Sequence, residues 1–183
     1  MKCSTGFVAV AVGLTALAGC LSPQPVEEKA LMRGEQLDIR NILAAHPNKK
    51  GCVDYQAATN SCAIVFPSTI KGDVMTTRET AALLLAGGAG TQYIETIKHS
   101  TLRDDTACTG ADDISLTGRD EMSAFVMAET QAMMEQLGGS YCTTYYRSGV
   151  GYVANSIGAN GQPTPDGDVR FQFIVGEAKL RAR

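Results

Sequence analysis

The clearest periodic pattern of apolar and polar positions lies between residues 119 and 137. At about 100° per residue, Met122, Val126, Met133 and Leu137 fall on one stripe, and charged side chains face away from it. A capping residue precedes this stretch and two glycines follow it, as expected at the ends of a helix. The pattern predicts one long amphipathic helix that lies on an apolar surface.

Two shorter helices are predicted nearer the N-terminus. Thr76 and Glu79 have the spacing of a capping box, and a glycine-rich tail follows Ala86, so residues 76–86 are predicted to be helical. Because this tail follows the helix, it is a termination signal and not a phosphate-binding loop, which precedes one. A weaker helical pattern covers Leu37 to Ala45.

Strands are predicted most clearly at the C-terminus. Val169, Phe171, Phe173 and Val175 alternate with Arg170, Gln172 and Ile174, and residues 142–154 are rich in Thr, Tyr and Val. The segment 156–167 carries turn signals, so together these segments predict a long antiparallel hairpin with an extended tip. Further strands are predicted at residues 63–66, 70–75 and 91–102. The expected fold class is therefore α+β: mainly antiparallel sheet, with one long and one or two short helices.

The first residues of the chain follow a different pattern. The apolar run from Phe7 to Ala18 follows a basic N-terminus and is too short to span a bilayer as a helix, which needs about 20 residues. It ends in Leu17-Ala18-Gly19-Cys20, which resembles the lipobox of bacterial lipoproteins. The resemblance covers only about the first 21 residues. An ordinary signal peptide, or a buried cysteine in an apolar helix, is the alternative.

The resemblance implies that the protein is anchored to a membrane of the cell envelope. Cleavage would fall before Cys20, whose thiol would carry a diacylglycerol and whose new amino group would be acylated, so two or three chains would hold the protein stably in a membrane. Residues 1–19 would be the signal peptide, 20–33 the lipidated cysteine and a flexible spacer, and 34–183 a single domain. Leu21 in place of Asp favours the outer membrane over the inner one, with the domain facing the periplasm.

The six cysteines divide into three groups. Cys3 leaves with the signal peptide and Cys20 carries lipid, which leaves Cys52, Cys62, Cys108 and Cys142 for two disulfides with three possible pairings. We favour Cys52–Cys62, which closes a short turn-like loop, and this choice pairs Cys108 with Cys142. A zinc site is the alternative, but the thiols are scattered singly and the chain has only two histidines.

Composition excludes some functions. The chain has 16 basic and 19 acidic residues, a net charge of −3 that becomes −4 once Lys2 is removed with the signal peptide. A nucleic-acid binder would need a clear basic excess, and a disordered chain would need less apolar content. We therefore expect a folded domain with no nucleic-acid partner.

Candidate chemistry is sparse. His46 and His99 are the only histidines; no metal, nucleotide or nucleophile motif surrounds either, and His99 and Ser100 face opposite ways if they lie in a strand. No catalytic residue, cofactor or enzymatic activity is therefore expected.

Two further clusters of side chains are candidates for binding. The acidic pairs Asp104-Asp105 and Asp112-Asp113 are weak candidates for a Ca²⁺ site; they lack the spacing of an EF-hand, and a solvated loop is the favoured interpretation. The tyrosines Tyr141 and Tyr145 are predicted on one sheet face and Tyr146 and Tyr152 on the other, unless a bulge intervenes. These tyrosines and the 156–167 segment could form a contact surface, but a half-buried sheet face is favoured.

The leading functional hypothesis is a lipid-anchored, non-catalytic interaction or structural module whose partner is another envelope protein. The alternative is a periplasmic lipoprotein that binds a small ligand or Ca²⁺.

Overall fold

The computed structural model describes residues 33–84, 90–117 and 120–182. Strands make up 56% of this part and helical residues 18%, so the expected α+β class is wrong and the domain is mainly β. The signal peptide, Cys20 and the spacer up to residue 32 lie outside the described residues.

The described part contains two α-helices, α1 (Ile39–Ala45) and α2 (Glu121–Gln136), and a 3-10 turn at Ala111–Asp113. Its strands are β1 (Gln36–Leu37), β2 (Lys50–Val53), β3 (Ser61–Cys62), β4 (Ile64–Phe66), β5 (Ser68–Lys71), β6 (Val74–Leu84), β7 (Thr91–Arg103), β8 (Thr106–Gly110), β9 (Ile114–Thr117), β10 (Ser140–Ser148), β11 (Gly151–Gly158), β12 (Pro163–Ile174) and β13 (Lys179–Leu180).

Eight of these strands close into an antiparallel barrel. The ring runs β2, β4, β6, β7, β8, β10, β11, β12, so each strand pairs with the next one along the ring in chain order, and β12 pairs back onto β2. Closure of the ring leaves it without a free edge, which explains how a domain with few helices protects its backbone hydrogen-bonding groups.

The predicted helix at 76–86 is wrong, because residues 74–84 form β6. All of β6 pairs with residues 91–101 of β7, from Val74 opposite Thr101 to Leu84 opposite Thr91. Thr76 and Glu79 do not cap a helix: Thr76 bonds to His99 and Glu79 pairs with Lys98. Most of the glycine-rich tail lies outside the described residues.

The C-terminal hairpin was predicted with the wrong turn. The chain reverses at Gly149 and Val150, between β10 and β11, where Gly149 has a φ of 56° that suits glycine. Most of the segment predicted as a long tip, 156–167, is strand, and only residues 159–162 connect β11 to β12. The predicted hairpin is therefore three consecutive barrel strands.

The two remaining helices match their predictions within a few residues. Asp38 caps α1 by accepting a hydrogen bond from the Arg40 amide at 2.8 Å, and Asp120 caps α2 by accepting one from Ser123 at 2.7 Å. Of the residues of α2, Ser123 and Met134 are buried. Met134 packs with Ile114 of β9 and Tyr141 of β10 in a cluster separate from the main core, so the C-terminal half of α2 lies against these two strands.

Both predicted disulfides are present. Cys108 and Cys142 lie directly opposite each other on β8 and β10. Cys52 and Cys62 join β2 to β3 and are fully buried with Ile174, where β3 pairs with β13 outside the barrel.

Candidate functional site

The barrel interior carries an unexpected pair of charges. Antiparallel pairing places Thr77 of β6 directly opposite Lys98 of β7 on the inner face, and Glu79 lies one inward position further along β6. Lys98 Nζ is 2.8 Å from Glu79 Oε2. Each side chain keeps 26% of its surface exposed, because both line a cavity.

The surroundings of this ion pair reinforce its charged state. Burial alone would lower the pKa of Lys98, but the attraction of Glu79 and the proximity of Tyr141 outweigh it and raise the pKa well above its usual range. Burial raises the pKa of the Tyr145 phenol. At neutral pH Lys98 is therefore an ammonium group and Tyr145 a neutral phenol.

Hydroxyl groups line the same cavity in pairs that join neighbouring strands. Ser68 bonds to Thr77 at 2.9 Å, Ser100 to Thr109 at 2.8 Å, and Thr143 to Ser156 at 2.8 Å; all six residues line the cavity. A hydroxyl offers one donor and two acceptor positions, so each pair retains capacity to bind a polar guest.

The cavity has a volume of about 220 Å³ and is chemically divided. Toward α1 its walls are apolar, formed by Ile39, Leu43, Val53, Ile64, Phe66, Met75 and Phe171. Toward α2 it is bordered by Met133, Thr164 and Asp166, and Asp166 is exposed. Eight-stranded barrels are just wide enough either to be filled by side chains or to hold one small ligand. In this barrel, side chains fill part of the interior and leave the cavity in the rest.

His46 packs against the apolar core near α1. It follows α1, stacks on Phe173 with ring centroids 4.4 Å apart, and its Nε2 is 2.8 Å from the Tyr152 hydroxyl. Its Nδ1 is buried and has no hydrogen-bond partner among the described residues. Burial, followed by the nearby cations Lys49 and Arg147, lowers the pKa of His46, so the imidazole is neutral at pH 7.

A wider groove of about 640 Å³ lies near the turn between β10 and β11, with Arg170 and Arg181 among its lining residues. It is larger than the barrel cavity but more open to solvent. Arg181 already donates to the Ser61 hydroxyl at 3.2 Å and the Asp54 carbonyl at 3.3 Å. We therefore regard the barrel cavity as the better candidate site.

The sequence-predicted Ca²⁺ candidates are not brought together. Asp104 and Asp105 form the turn before β8, whereas Asp112 and Asp113 lie in the 3-10 turn after it, so the length of a strand separates the two pairs. Asp113 also accepts a hydrogen bond from the Gly110 amide at 2.9 Å. Within the described ranges, no group of three or more His, Cys, Asp or Glu side chains could hold a metal ion.

The tyrosines and histidines are placed as follows. Tyr141 and Tyr145 both line the cavity, so they share one face of β10, as predicted. Tyr152 was predicted on the opposite face from Tyr145, but the turn at 149–150 places it inward too, where it packs on Phe171. His99 is exposed and Ser100 buried, so these neighbours do face opposite ways.

Sequence reasoning missed Lys98, Glu79 and the lining hydroxyls. Their signal is alternation: Met75, Thr77 and Glu79 on β6, and Lys98, Ser100 and Leu102 on β7, each follow a period of two. A charge on an inward face is recognised only when the strand partner is known.

No known protein family, curated protein or solved structure matches this chain. Fold and site alone therefore define its class: a disulfide-linked, up-and-down antiparallel barrel whose internal cavity is apolar toward α1 and carries an ion pair and hydroxyl groups elsewhere. Separately, none of the helices in the described part is both long and apolar enough to cross a membrane.

Proposed function

We propose that this chain is a lipid-anchored cell-envelope protein whose barrel binds one small polar molecule. The observation that carries the proposal is the internal cavity of about 220 Å³, which holds the Lys98–Glu79 ion pair and six paired hydroxyls. Small-molecule sites are typically concave, largely apolar, and equipped with a few convergent polar groups, as this cavity is.

The energetics of the interior support a binding role. A buried ion pair contributes little net stability, since desolvation of the two charges offsets their attraction, and apolar residues of similar volume often stabilise a core as well or better. An interior built only for stability would therefore be expected to be apolar here, as it is toward α1. A polar ligand bound in the cavity would explain why its other half carries charges and hydroxyl groups.

The outer surface gives less support to an interaction module. Phe125, Val150 and Val175 are strongly exposed apolar side chains in different parts of the chain, whereas Leu84 and Tyr93 are diagonal neighbours on the outer face of β6 and β7. Single exposed side chains and a pair of this size are normal for monomeric proteins. We therefore rank ligand binding above the docking of another envelope protein, and we propose neither an enzymatic activity nor a nucleic-acid partner.

The anchor belongs to the same proposal. The lipidated Cys20 and its spacer would join the barrel at Arg33, which bonds to both carboxylate oxygens of Asp168 at 2.9 and 2.7 Å and lies over the Tyr146 ring. The mass of the intact protein from bacterial envelopes should include the acyl groups, and a Cys20→Ala variant should lose that mass and leave the membrane fraction.

Ligand binding is tested by a thermal-shift screen of small polar metabolites against the purified full chain. A ligand at about 100 times its Kd adds about 2.7 kcal/mol, which for a domain of this size raises the Tm by roughly 5–10 °C. Thr143→Phe fills the cavity, and Thr144→Phe makes the same change at the adjacent position, which does not line it. The stabilisation should persist in the Thr144 variant and vanish in the Thr143 variant. Equal stabilisation of both would place the ligand elsewhere.

A further inference from the structure

The charges that face the cavity are nearly balanced. Lys98 and Glu79 neutralise each other, and Asp166 adds one carboxylate toward α2. From this arrangement we propose that the ligand is a small zwitterion with an ammonium and a carboxylate group, of the size of an amino acid, whose apolar part points toward α1. This inference rests on the proposed function and names the ligand class for the same site.

The ion pair disfavours ligands of a single charge. Lys98 and Glu79 already compensate each other at 2.8 Å, so an anion that bonds to Lys98 adds a negative charge without a cation of its own and is repelled by Glu79; a cation at Glu79 is repelled by Lys98 in the same way. An uncompensated buried charge is strongly unfavourable. A zwitterion instead gives each side chain a partner of opposite charge, with its carboxylate at Lys98 and its ammonium at Glu79.

Asp166 adds a bias against anions. Asp166 lines the same cavity and is exposed to solvent, so it adds a screened negative charge on the side toward α2. This charge repels a ligand that carries only a carboxylate. In a zwitterion the ammonium group offsets that repulsion.

Size and polarity agree with this class of ligand. At about 30 Å³ per water, a cavity of about 220 Å³ has room for about seven waters, which suits an amino acid and is too small to hold a whole peptide or lipid. The apolar walls at Ile64, Phe66 and Met75 would take the side chain of the ligand. The hydroxyls of Ser100 and Thr143 would hydrogen-bond to its polar end.

The test compares matched ligands by calorimetry on the full chain. The zwitterions are glycine, L-leucine and L-phenylalanine; isocaproate is leucine without its ammonium, isopentylamine is leucine without its carboxylate, and myo-inositol is a neutral polyol. We expect the best zwitterion to bind at least about tenfold more tightly than either singly charged analogue and than inositol. Equal or tighter binding of any of these three overturns the inference.

Matched variants locate the effect. The double variant Lys98→Met/Glu79→Gln removes both inner charges and leaves neither unpaired, so it should fold and lose the preference for zwitterions. The control Arg78→Met/Glu95→Gln removes an ion pair of 2.9 Å from the outer face of the same two strands and should keep that preference. If the preference survives in the inner variant, the inference is wrong.

The inference and the proposed function can fail separately. If inositol or a singly charged molecule binds best and Thr143→Phe abolishes that binding, the cavity binds ligands but not as inferred. If neither this panel nor the wider metabolite screen yields any binding that Thr143→Phe abolishes, both are wrong.

Discussion

Breaking the inner ion pair from one side should destabilise the barrel more than removing it altogether. Removal of one partner of a buried pair costs about 3–5 kcal/mol, because the other charge is left uncompensated. Lys98 and Glu79 each keep 26% of their surface exposed to the cavity, so water there will partly solvate the remaining charge. We therefore expect about 2–3 kcal/mol for Lys98→Met or Glu79→Gln, and about 0–1 kcal/mol for the double variant.

Urea denaturation of the original protein, the two single variants and the double variant gives the coupling energy between Lys98 and Glu79 directly. For a domain of this size each single variant should lower the Tm by roughly 4–12 °C. The outer pair Arg78–Glu95, with 54% and 29% of its side-chain surface exposed, is the control and should cost about 0–1 kcal/mol. The reasoning is refuted if the costs of the two inner single variants simply add in the double variant, or if each costs less than about 0.5 kcal/mol.

The remaining predictions concern His46 and the framework of the barrel. Because the pKa of His46 lies below its usual 6.5, the unfolded chain takes up a proton at His46 at a higher pH than the folded chain does. The free energy of unfolding should therefore fall as the pH drops below 6.5. Urea titrations should show a smaller fall in His46→Gln, and an equal fall would contradict the contribution of His46. Replacing Cys108 and Cys142 together with Ala should cost about 4 kcal/mol, because their sequence separation is 34, and a loss under about 1 kcal/mol would exclude the chain-entropy explanation. Gly51→Ala should lower the free energy of unfolding by about 1–3 kcal/mol in chemical denaturation, since the added Cβ meets the Phe66 ring. This loss should be smaller in a Phe66→Leu background. An unchanged loss would show that the ring is not the obstacle.

Local signals were sufficient for some of the fold. Both helices have side-chain N-caps, at Asp38 and Asp120, so residues next to each helix in the chain fix where it begins. The disulfide pairing followed from one short loop between Cys52 and Cys62. These features could be predicted because each depends on residues close together in the chain.

The barrel could not be predicted in the same way. Thr76 and Glu79 have the spacing of a capping box, and what overrides it is the pairing of all of β6 with β7. Closure depends on the pairing of β2 with β12 from opposite ends of the domain, which no local pattern indicates.

The candidate site depends on closure as well. Lys98 and Glu79 are ordinary surface residues in an open sheet and become a buried pair only when the strands close around them. Asp166 and Ser156 fell in a segment predicted to be a loop, although both line the cavity from β12 and β11. A sequence pattern can place a side chain on one face of a strand, but it does not show which face becomes the interior.

Methyl-resolved NMR of the methionine side chains tests the central claim most directly, because Met75 and Met133 line the cavity whereas Met122 and Met127 do not. In a titration with the tightest zwitterion of the calorimetric panel, the methyl signals of Met75 and Met133 should shift with one common saturation curve, while those of Met122 and Met127 stay in place. A saturable shift confined to Met122 or Met127, or no shift at Met75 and Met133 with any ligand of the panel, would contradict a binding site inside the barrel.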